Sequence, residues 1–236
     1  MCGRYSLAGG DPGQLRARFP IGETVELRRR FNVAPTDDVL AVTTTREGTP
    51  RGELLRWGLV PPWSGDSRAG HKMINARAET LQQRPAFRSA LDRFRCLIIA
   101  DGFYEWSPDE NGRKRAFHIT RADHEPFAFA GLWSVWHRGE GDEVRSCTIV
   151  TTAANELIAP LHDRMPVIVD RSGEQVWLEH GTPVAVLTSV LQGLDASETA
   201  VRPVGPAVND VRYDGPACLD DPPPSEPLPT GEQTLF

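Results

Sequence analysis

The sequence predicts an α+β fold in which strand-rich mixed or antiparallel sheets curl into a barrel-like core with short flanking helices. Short apolar or alternating segments with β-branched and aromatic residues dominate the chain, as is typical of strands. The predicted helices are few and short, and they do not alternate regularly with strands as in a parallel βαβ fold. The 236 residues are enough for one well-buried domain.

The strand predictions rest on apolar runs that are short and rich in β-branched or aromatic residues. The longest of them alternates aromatic with small residues over much of its length. Strands are predicted at residues 39–42, 54–60, 96–100, 117–119, 127–136, 147–151 and 166–169.

Helices are predicted at 11–19, 84–92, 153–161, 173–180 and 185–194. The first has the clearest start, because Asp11 can cap a helix whose first turn accommodates Pro12.

The net charge of −6 argues against a nucleic-acid partner, but the distribution of charge weakens that argument. Residues 214–236 hold five acidic residues and no Lys or Arg, which leaves 26 basic and 27 acidic residues in the rest of the chain. A nearly neutral body can carry a basic groove, and arginines cluster at 28–30 and at Arg84 with Arg88. For any one such cluster, a solvated surface is the alternative explanation.

Neither a membrane-spanning apolar run nor a signal-peptide core is found, so the sequence predicts a cytoplasmic protein. The four cysteines are widely separated and lack zinc-site spacing, and disulfides are not expected in a reducing compartment. Cys96 and Cys147 are predicted to fill the core, whereas Cys218 falls in the predicted tail. No metal or cofactor is predicted.

Residues 214–236 form an acidic tail that contains six prolines from Gly215 onward, and its composition predicts flexibility. The last residues include Gln233, Leu235 and Phe236, which look like a truncated form of the peptides that dock DNA-replication proteins to sliding clamps. An unremarkable terminus is the alternative.

Cys2 is the most informative residue of the chain, because removal of Met1 would leave a thiol and a free α-amine on one residue. The amine can condense with an aldehyde, and the thiol can then close on the imine to form a thiazolidine ring. The simpler interpretation is a buried small apolar residue near the start of a strand.

Three internal segments carry further candidate residues. Asn75 can donate to and accept from a reacting oxygen, and the nearby Arg77 suits a phosphate; a helix start with Asn75 as N-cap is the alternative. Glu105 stands among Phe103, Tyr104 and Trp106, where burial would raise the pKa of its carboxyl group toward neutrality; a solvated strand face is the alternative.

His162 is the third candidate and stands in a turn beside an acid and an arginine. Its ordinary pKa suits proton transfer near pH 7. A structural role is the alternative for this histidine.

Together with the N-terminus, these segments resemble a known family in six ordered motifs. They are Cys2-Gly3-Arg4-Tyr5, Arg30-Phe31-Asn32-Val33-Ala34-Pro35, Arg56-Trp57-Gly58-Leu59-Val60-Pro61, Asn75-Ala76-Arg77-Ala78-Glu79-Thr80, Asp101-Gly102-Phe103-Tyr104-Glu105-Trp106 and His162-Asp163-Arg164-Met165-Pro166. They resemble the SOS-response-associated peptidase family, whose members act on abasic sites in single-stranded DNA. The resemblance implies a catalytic domain over residues 1–213 and a tail over 214–236.

The resemblance implies that Cys2, after Met1 is lost, forms a thiazolidine with the ring-opened aldehyde of an abasic site. Asn75 would orient the sugar oxygens or the thiazolidine, Glu105 would move protons, and His162 would assist strand cleavage or crosslink reversal. An abasic-site lyase side activity and autoproteolytic loss of Met1 are further expectations.

The resemblance also implies contacts to the DNA strand. Phosphates would be bound by Arg4, Asn32, Arg77 and Arg88, and Trp63 would lie near unpaired bases. The expected molecule is a monomer, cytoplasmic and associated with the nucleoid when bound to DNA, with no membrane partner.

Two other classes of function stay open at this point. One is a peptidase that uses Cys2 as an N-terminal nucleophile. The other is a reader that binds single-stranded DNA without forming a covalent bond.

Overall fold

The computed structural model describes residues 2–109, 112–137, 139 and 143–223. In these residues the strands are β1 (Tyr5–Leu7), β2 (Arg30–Val33), β3 (Asp38–Thr44), β4 (Pro50–Trp57), β5 (Asn75–Arg77), β6 (Arg95–Ala100), β7 (Gly102–Pro108), β8 (Lys114–Arg121), β9 (Phe127–His137), β10 (Glu143–Ala153), β11 (Arg164–Pro166), β12 (Ile168–Val169) and β13 (Thr199–Val204). The helices are α1 (Pro12–Arg18), α2 (Pro85–Arg93), α3 (Arg171–Leu178) and α4 (Val184–Ser189). Short 3₁₀ turns cover Ser67–Lys72, Ala78–Thr80, Ala196–Glu198, Pro206–Asn209 and Pro216–Leu219.

Five of these strands close into a barrel. β3 pairs with β4 and β6, β9 pairs with β6 and β10, and a parallel pairing of β10 with β4 completes the ring. Buried side chains from alternate positions fill the interior: Val39, Ala41, Leu55, Trp57, Cys96, Ile98, Phe127, Phe129, Cys147 and Ile149. The predicted α+β fold with a barrel-like core is therefore confirmed, and so are the core positions of Cys96 and Cys147.

A second, antiparallel sheet in the order β13-β8-β7-β1-β2 covers the barrel. Tyr5 of β1 packs edge-on against Trp57 of the barrel, with ring centroids 5.4 Å apart. Cys2 and Tyr5 belong to the same buried cluster as the barrel interior. The N-terminus of the described chain thus packs against the barrel core.

The predicted strands are confirmed, although 166–169 is divided between β11 and β12. Four predicted helices are also present; three agree with the prediction within two residues at both ends, whereas α4 ends at Ser189, five residues before the predicted end. None of the helices in the described part of the chain is long and apolar enough to cross a membrane.

The predicted helix at 153–161 is wrong. Strand β10 continues to Ala153, and turns follow it. Asn155 explains the turn, because its side-chain oxygen accepts from the backbone N–H groups of Leu157 and Ile158 at 3.1 and 3.0 Å.

Asp214 and Cys218, which the sequence placed in the flexible tail, are packed against the rest of the chain. The Asp214 carboxylate accepts from the backbone N–H groups of Phe31 and Asn32 at 2.5 and 2.8 Å, and Cys218 is fully buried. These contacts depend on one carboxylate and a few apolar side chains, so the average composition of the segment does not indicate them. The clamp-like residues Gln233, Leu235 and Phe236 lie outside the described residues.

A buried polar network joins β1, β7 and β8. The Ser6 hydroxyl lies 2.5 Å from Asp101 Oδ1 and 2.9 Å from His118 Nε2. Gly102 leaves room for the imidazole, since a Cβ there would lie 2.1 Å from His118 Nε2. Burial lowers the pKa of His118 to about 3.

We predict that this histidine makes the fold sensitive to acid. The unfolded chain binds a proton on His118 below about pH 6.5 and the folded chain does not, so stability falls as pH falls through that range. Between pH 7 and 5 the loss is about 2 kcal/mol at most. Urea unfolding of His118→Gln, measured at both pH values, is expected to show a correspondingly smaller pH dependence.

The exposed His71 supplies the matched control, and His71→Gln is expected to keep the wild-type pH dependence. Burial raises the pKa of Asp101, so the contribution of this residue to stability increases as pH falls, opposite to that of His118. Asp101 is present in wild type and in both variants, so its contribution is common to all three proteins. If the free energy of unfolding of His118→Gln differed between pH 7 and pH 5 by as much as that of wild type, His118 would not be the source of the acid sensitivity.

Candidate active site

The structure brings the four predicted catalytic residues together where β1, β5, β7 and the turn after β10 meet. Cys2 is fully buried, and the Asn75 side-chain amide donates to its carbonyl oxygen at 2.8 Å. The charge of Glu105 acts on the Cys2 thiol, and the charge of His162 acts on Glu105. Residues that are distant in the sequence therefore form one cluster.

Strand pairing explains the position of Cys2. Tyr5 pairs with Phe103 and Ser6 pairs with Gly102 in antiparallel register. Continuing this register toward the N-terminus places Cys2 and Gly3 alongside the stretch of β7 that contains Glu105.

Asn75 is fixed by backbone contacts on two sides. A Cβ on Gly70 would lie 2.3 Å from the Gly58 carbonyl oxygen, so the segment leading to β5 lies directly on the turn after β4. The Trp57 indole then donates to the Ile74 carbonyl at 2.9 Å. Asn75 begins a strand, so the alternative of a helix N-cap is wrong.

The two ends of the Asn75 amide have different surroundings. The nitrogen donates to the Cys2 carbonyl oxygen, whereas the side-chain oxygen is buried and has no hydrogen-bond partner among the described residues. A buried unpaired acceptor is costly, so this oxygen is available to a hydroxyl or protonated nitrogen of a bound molecule.

Burial and the nearby Glu105 carboxylate both raise the pKa of the Cys2 thiol well above its ordinary value. The sulfur is therefore protonated at neutral pH, and it lies 3.8 Å from the Arg4 carbonyl oxygen. Cys2 is buried, as the simpler interpretation predicted, but polar groups on β5 and β7 flank it.

The prediction that burial raises the pKa of Glu105 is confirmed in direction, and the charge of His162 opposes the increase. The predicted cause was right for Phe103, which shares the inward face of β7 with Glu105, and wrong for the other two aromatic residues. Tyr104 and Trp106 alternate with Glu105 along β7 and pack on the opposite face of the sheet. Glu105 is 4% exposed because its own side of the strand faces the barrel.

His162 is oriented by its own turn. Its Nδ1 lies 2.9 Å from the Arg164 backbone nitrogen and 2.8 Å from an Asp163 carboxylate oxygen. These contacts occupy Nδ1, so Nε2 is the nitrogen left for proton transfer.

Sequence reasoning missed the contact that joins the histidine turn to the asparagine segment. The Arg164 guanidinium binds both oxygens of Glu79 at 2.6 and 2.9 Å and donates to the Thr151 carbonyl at 2.7 Å. Both charged residues stand in the motifs quoted above, but nothing in their spacing indicates that they pair.

Three of the predicted DNA-contacting residues are exposed. Arg77 lies two positions after Asn75 on β5. Trp63, which is 60% exposed, and Arg88 line one open cavity of about 510 Å³ beside α2. This pair of residues has the aromatic and cationic character that unpaired nucleotides bind.

Asn32 differs from these three. It is 1% exposed and bonds to backbone carbonyls and to Arg4, so it cannot contact a phosphate in this conformation. The Arg4 guanidinium donates to Asn32 and to the Val208 carbonyl, and burial lowers its pKa. The structure thus shows Asn32 in buried contacts within the protein, whereas its expected phosphate contact stays a prediction.

Metal binding is not indicated by the described residues, since no group of three or more His, Cys, Asp or Glu side chains among them could hold an ion.

Solved structures with the same fold are known. A protein from Bacteroides thetaiotaomicron superposes with a TM-score of 0.81 at 21% identity, covering 93% of this chain and 99% of that one. A protein from Bordetella bronchiseptica gives a TM-score of 0.73 at 27% identity, covering 86% of this chain and 100% of that one.

Curated relatives are similar over most of the sequence. The abasic site processing protein YoqW of Bacillus subtilis is 39% identical over 93% of this chain and 99% of its own length. The abasic site processing protein YedK of Escherichia coli is 29% identical over 79% of this chain and 82% of its own.

The family model described as SOS response associated peptidase (SRAP) matches residues 1–211, which include all six motifs. The chain therefore belongs to the SRAP family.

Proposed function

We propose that this protein, once Met1 is removed, captures abasic sites in single-stranded DNA as a thiazolidine on Cys2. The observation that carries the proposal is the convergence of Asn75 and Glu105 on Cys2, with His162 next to Glu105. Relatives named abasic site processing proteins support the choice of substrate.

The reaction begins with opening of the sugar. An abasic deoxyribose is mainly a closed hemiacetal, and opening moves a proton from its hydroxyl to the ring oxygen. Glu105 suits this transfer, because its raised pKa brings both protonation states closer to neutral pH. The side-chain oxygen of Asn75 can accept a hydrogen bond from a sugar hydroxyl and so hold the sugar in place.

The neutral amine of Cys2 then attacks the aldehyde carbon, and loss of one water gives an imine. The sulfur adds to the imine carbon, and the thiol proton passes through a base to the nitrogen. One aldehyde and one aminothiol thus give one thiazolidine and one water, with no change in oxidation state.

The raised pKa of the thiol favours this order of events. A protonated thiol is a poor nucleophile, so the amine attacks first and the sulfur reacts only when a base takes its proton. Glu105, whose charge acts on that thiol, is the candidate for this base. A peptidase that used Cys2 as its nucleophile would likewise need a base to take the thiol proton during attack.

The exposed residues indicate how DNA would reach the site. Arg77 is positioned to bind a phosphate near the abasic sugar, while Trp63 and Arg88 would hold unpaired bases and backbone farther along α2. His162 would donate or accept a proton during strand cleavage or reversal of the crosslink.

We predict that the mature protein forms a heat-stable crosslink with uracil-containing single-stranded DNA treated with uracil glycosylase. Cys2→Ala is expected to lose that crosslink. Cys2→Ser keeps the amine without the sulfur, so it should give only an imine that borohydride traps. Denaturing gels and intact mass, which also verifies loss of Met1, measure both results.

Other results would contradict the proposal. A stable crosslink to a chain that retains Met1 would exclude the N-terminal amine. Peptide cleavage without a crosslink would indicate a peptidase, and salt-sensitive binding without any covalent product in wild type would indicate a non-covalent reader.

We also predict that Glu105→Gln slows crosslinking at pH 7, by roughly 10²-fold or more. Because the α-amine titrates in both proteins, the ratio of wild-type to variant rates isolates the carboxyl group. The ratio should fall as pH decreases through the raised pKa of Glu105, where the wild-type carboxylate becomes protonated. Single-turnover rates between pH 5 and 9 measure this ratio.

The exposed Glu125 provides the control, and Glu125→Gln should match wild type at every pH. A rate ratio for Glu105→Gln that stays near one throughout would remove Glu105 from the mechanism.

A further inference from the structure

We propose that Asn32 is a positioning residue that holds the reactive N-terminus in place by clamping Arg4 to the C-terminal segment 206–219. This inference rests on the proposed function and deepens it, since it identifies what fixes the aminothiol before DNA arrives. It also replaces the phosphate-binding role that the sequence suggested for Asn32.

The hydrogen bonds of Asn32 define the orientation of its amide. The side-chain nitrogen donates to the carbonyl oxygens of Val208, Asp210 and Tyr213 at 3.3, 3.0 and 2.9 Å. The side-chain oxygen accepts from the Arg4 guanidinium at 2.8 Å. Carbonyls only accept and guanidinium groups only donate, so the buried site requires one donor end and one acceptor end.

Arg4 carries this constraint to the reactive residue. Its guanidinium also donates to the Val208 carbonyl at 3.0 Å, and its own carbonyl accepts from the Tyr104 backbone N–H at 3.0 Å. Only Gly3 separates it from Cys2, and glycine restrains the backbone least of all residues. Arg4 is therefore the first side chain along the mature chain that can anchor the N-terminus.

The partner segment is itself firmly attached. Asp214 accepts from the backbone N–H groups of Phe31 and Asn32, and the Trp106 indole donates to the Asn209 side chain at 2.8 Å. Val208 and Cys218, which belong to the segment, are fully buried. The anchor for Arg4 is thus a packed part of the fold.

A residue that contacted a phosphate would affect both DNA affinity and the rate of covalent capture, whereas a buried positioning residue affects only the rate. Asn32 is 1% exposed, so its loss removes no contact to DNA. Small misplacement of a reacting group can slow a reaction by about 10²-fold while leaving binding intact. We therefore expect changes at Asn32 to slow covalent capture and to leave DNA affinity unchanged.

The experiment compares mature wild type with Asn32→Ala and Asn32→Asp. The aspartate keeps the acceptor for Arg4 but directs a carboxylate at three carbonyls, so both variants should lose the anchor. Single-turnover crosslinking at saturating abasic DNA is expected to fall roughly 10- to 100-fold. The Kd and its salt dependence, measured with single-stranded DNA that carries a tetrahydrofuran in place of the abasic sugar, should equal those of wild type.

Arg77→Ala serves as the comparison for loss of a phosphate contact. It is expected to raise the Kd and to reduce the dependence of the Kd on salt concentration. The same pattern in the Asn32 variants, or crosslinking at the wild-type rate, would overturn the positioning role. If the Asn32 variants do not fold, Arg4→Ala carries the same expectation for the crosslinking rate, and Arg4→Lys should recover part of that rate.

Amide hydrogen exchange of Gly3 to Tyr5 on the DNA-free mature protein measures the anchor directly. Faster exchange in the Asn32 variants supports the clamp, and unchanged exchange contradicts it. If wild type forms no crosslink at all, the proposed function fails, and the exchange rates still decide whether Asn32 anchors the N-terminus.

Discussion

The antiparallel pairing of β1 with β7 brings the N-terminus of the chain beside a buried carboxylate. Tyr5 and Ser6 pair with Phe103 and Gly102, and the same register continued toward the N-terminus aligns Cys2 with the part of β7 that holds Glu105. The barrel positions the other two candidate residues. Its strand β10 pairs with β5, which contains Asn75, and leads into the turn that contains His162. The candidate site depends on this one ladder, because a shift by one residue would reverse the faces on which the side chains of β1 lie relative to those of β7.

Burial gives the site its chemical character and also costs stability. A carboxyl group and a thiol that are removed from water both favour their neutral forms, as the raised pKa values of Glu105 and Cys2 indicate. The same reasoning applies to His118 on the neighbouring strand, which burial keeps neutral although it takes no part in the proposed reaction. The packing of the second sheet on the barrel holds the side chains of Glu105, Cys2 and His118 in place despite this cost.

The sequence predicts the barrel better than it predicts the sheet above it. The barrel strands are apolar because both their faces are covered, and their composition identifies them. Strands β1 and β7 of that sheet, and the short strand β5 beside β10, include polar residues such as Glu105 and Asn75, so their hydrophobic patterns are interrupted around the candidate site.

The candidate site shows a similar division. Residue type and motif order found Cys2, Asn75, Glu105 and His162, because their chemistry is local to each side chain. The buried contacts of Asn32 and the packing of the segment from residue 214 were missed, because both depend on contacts between residues about 180 positions apart. No local pattern contains such contacts, and only the folded chain brings them together.

The proposed role of Cys2 as a nucleophile at a chain terminus poses a problem that an internal residue does not have. An internal side chain is held by the backbone on both sides, whereas the α-amine of a mature Cys2 is held from one side only. Non-covalent contacts must supply the missing restraint, and two are available: Asn75 on the Cys2 carbonyl and the Asn32 clamp on Arg4. One acts on the reactive residue itself and the other two residues later, so together they restrain the backbone on either side of Gly3. The folded C-terminal segment then has a chemical reason to cover the outer face of β1, because the free end of this chain can be positioned only by parts of the protein that are already in place.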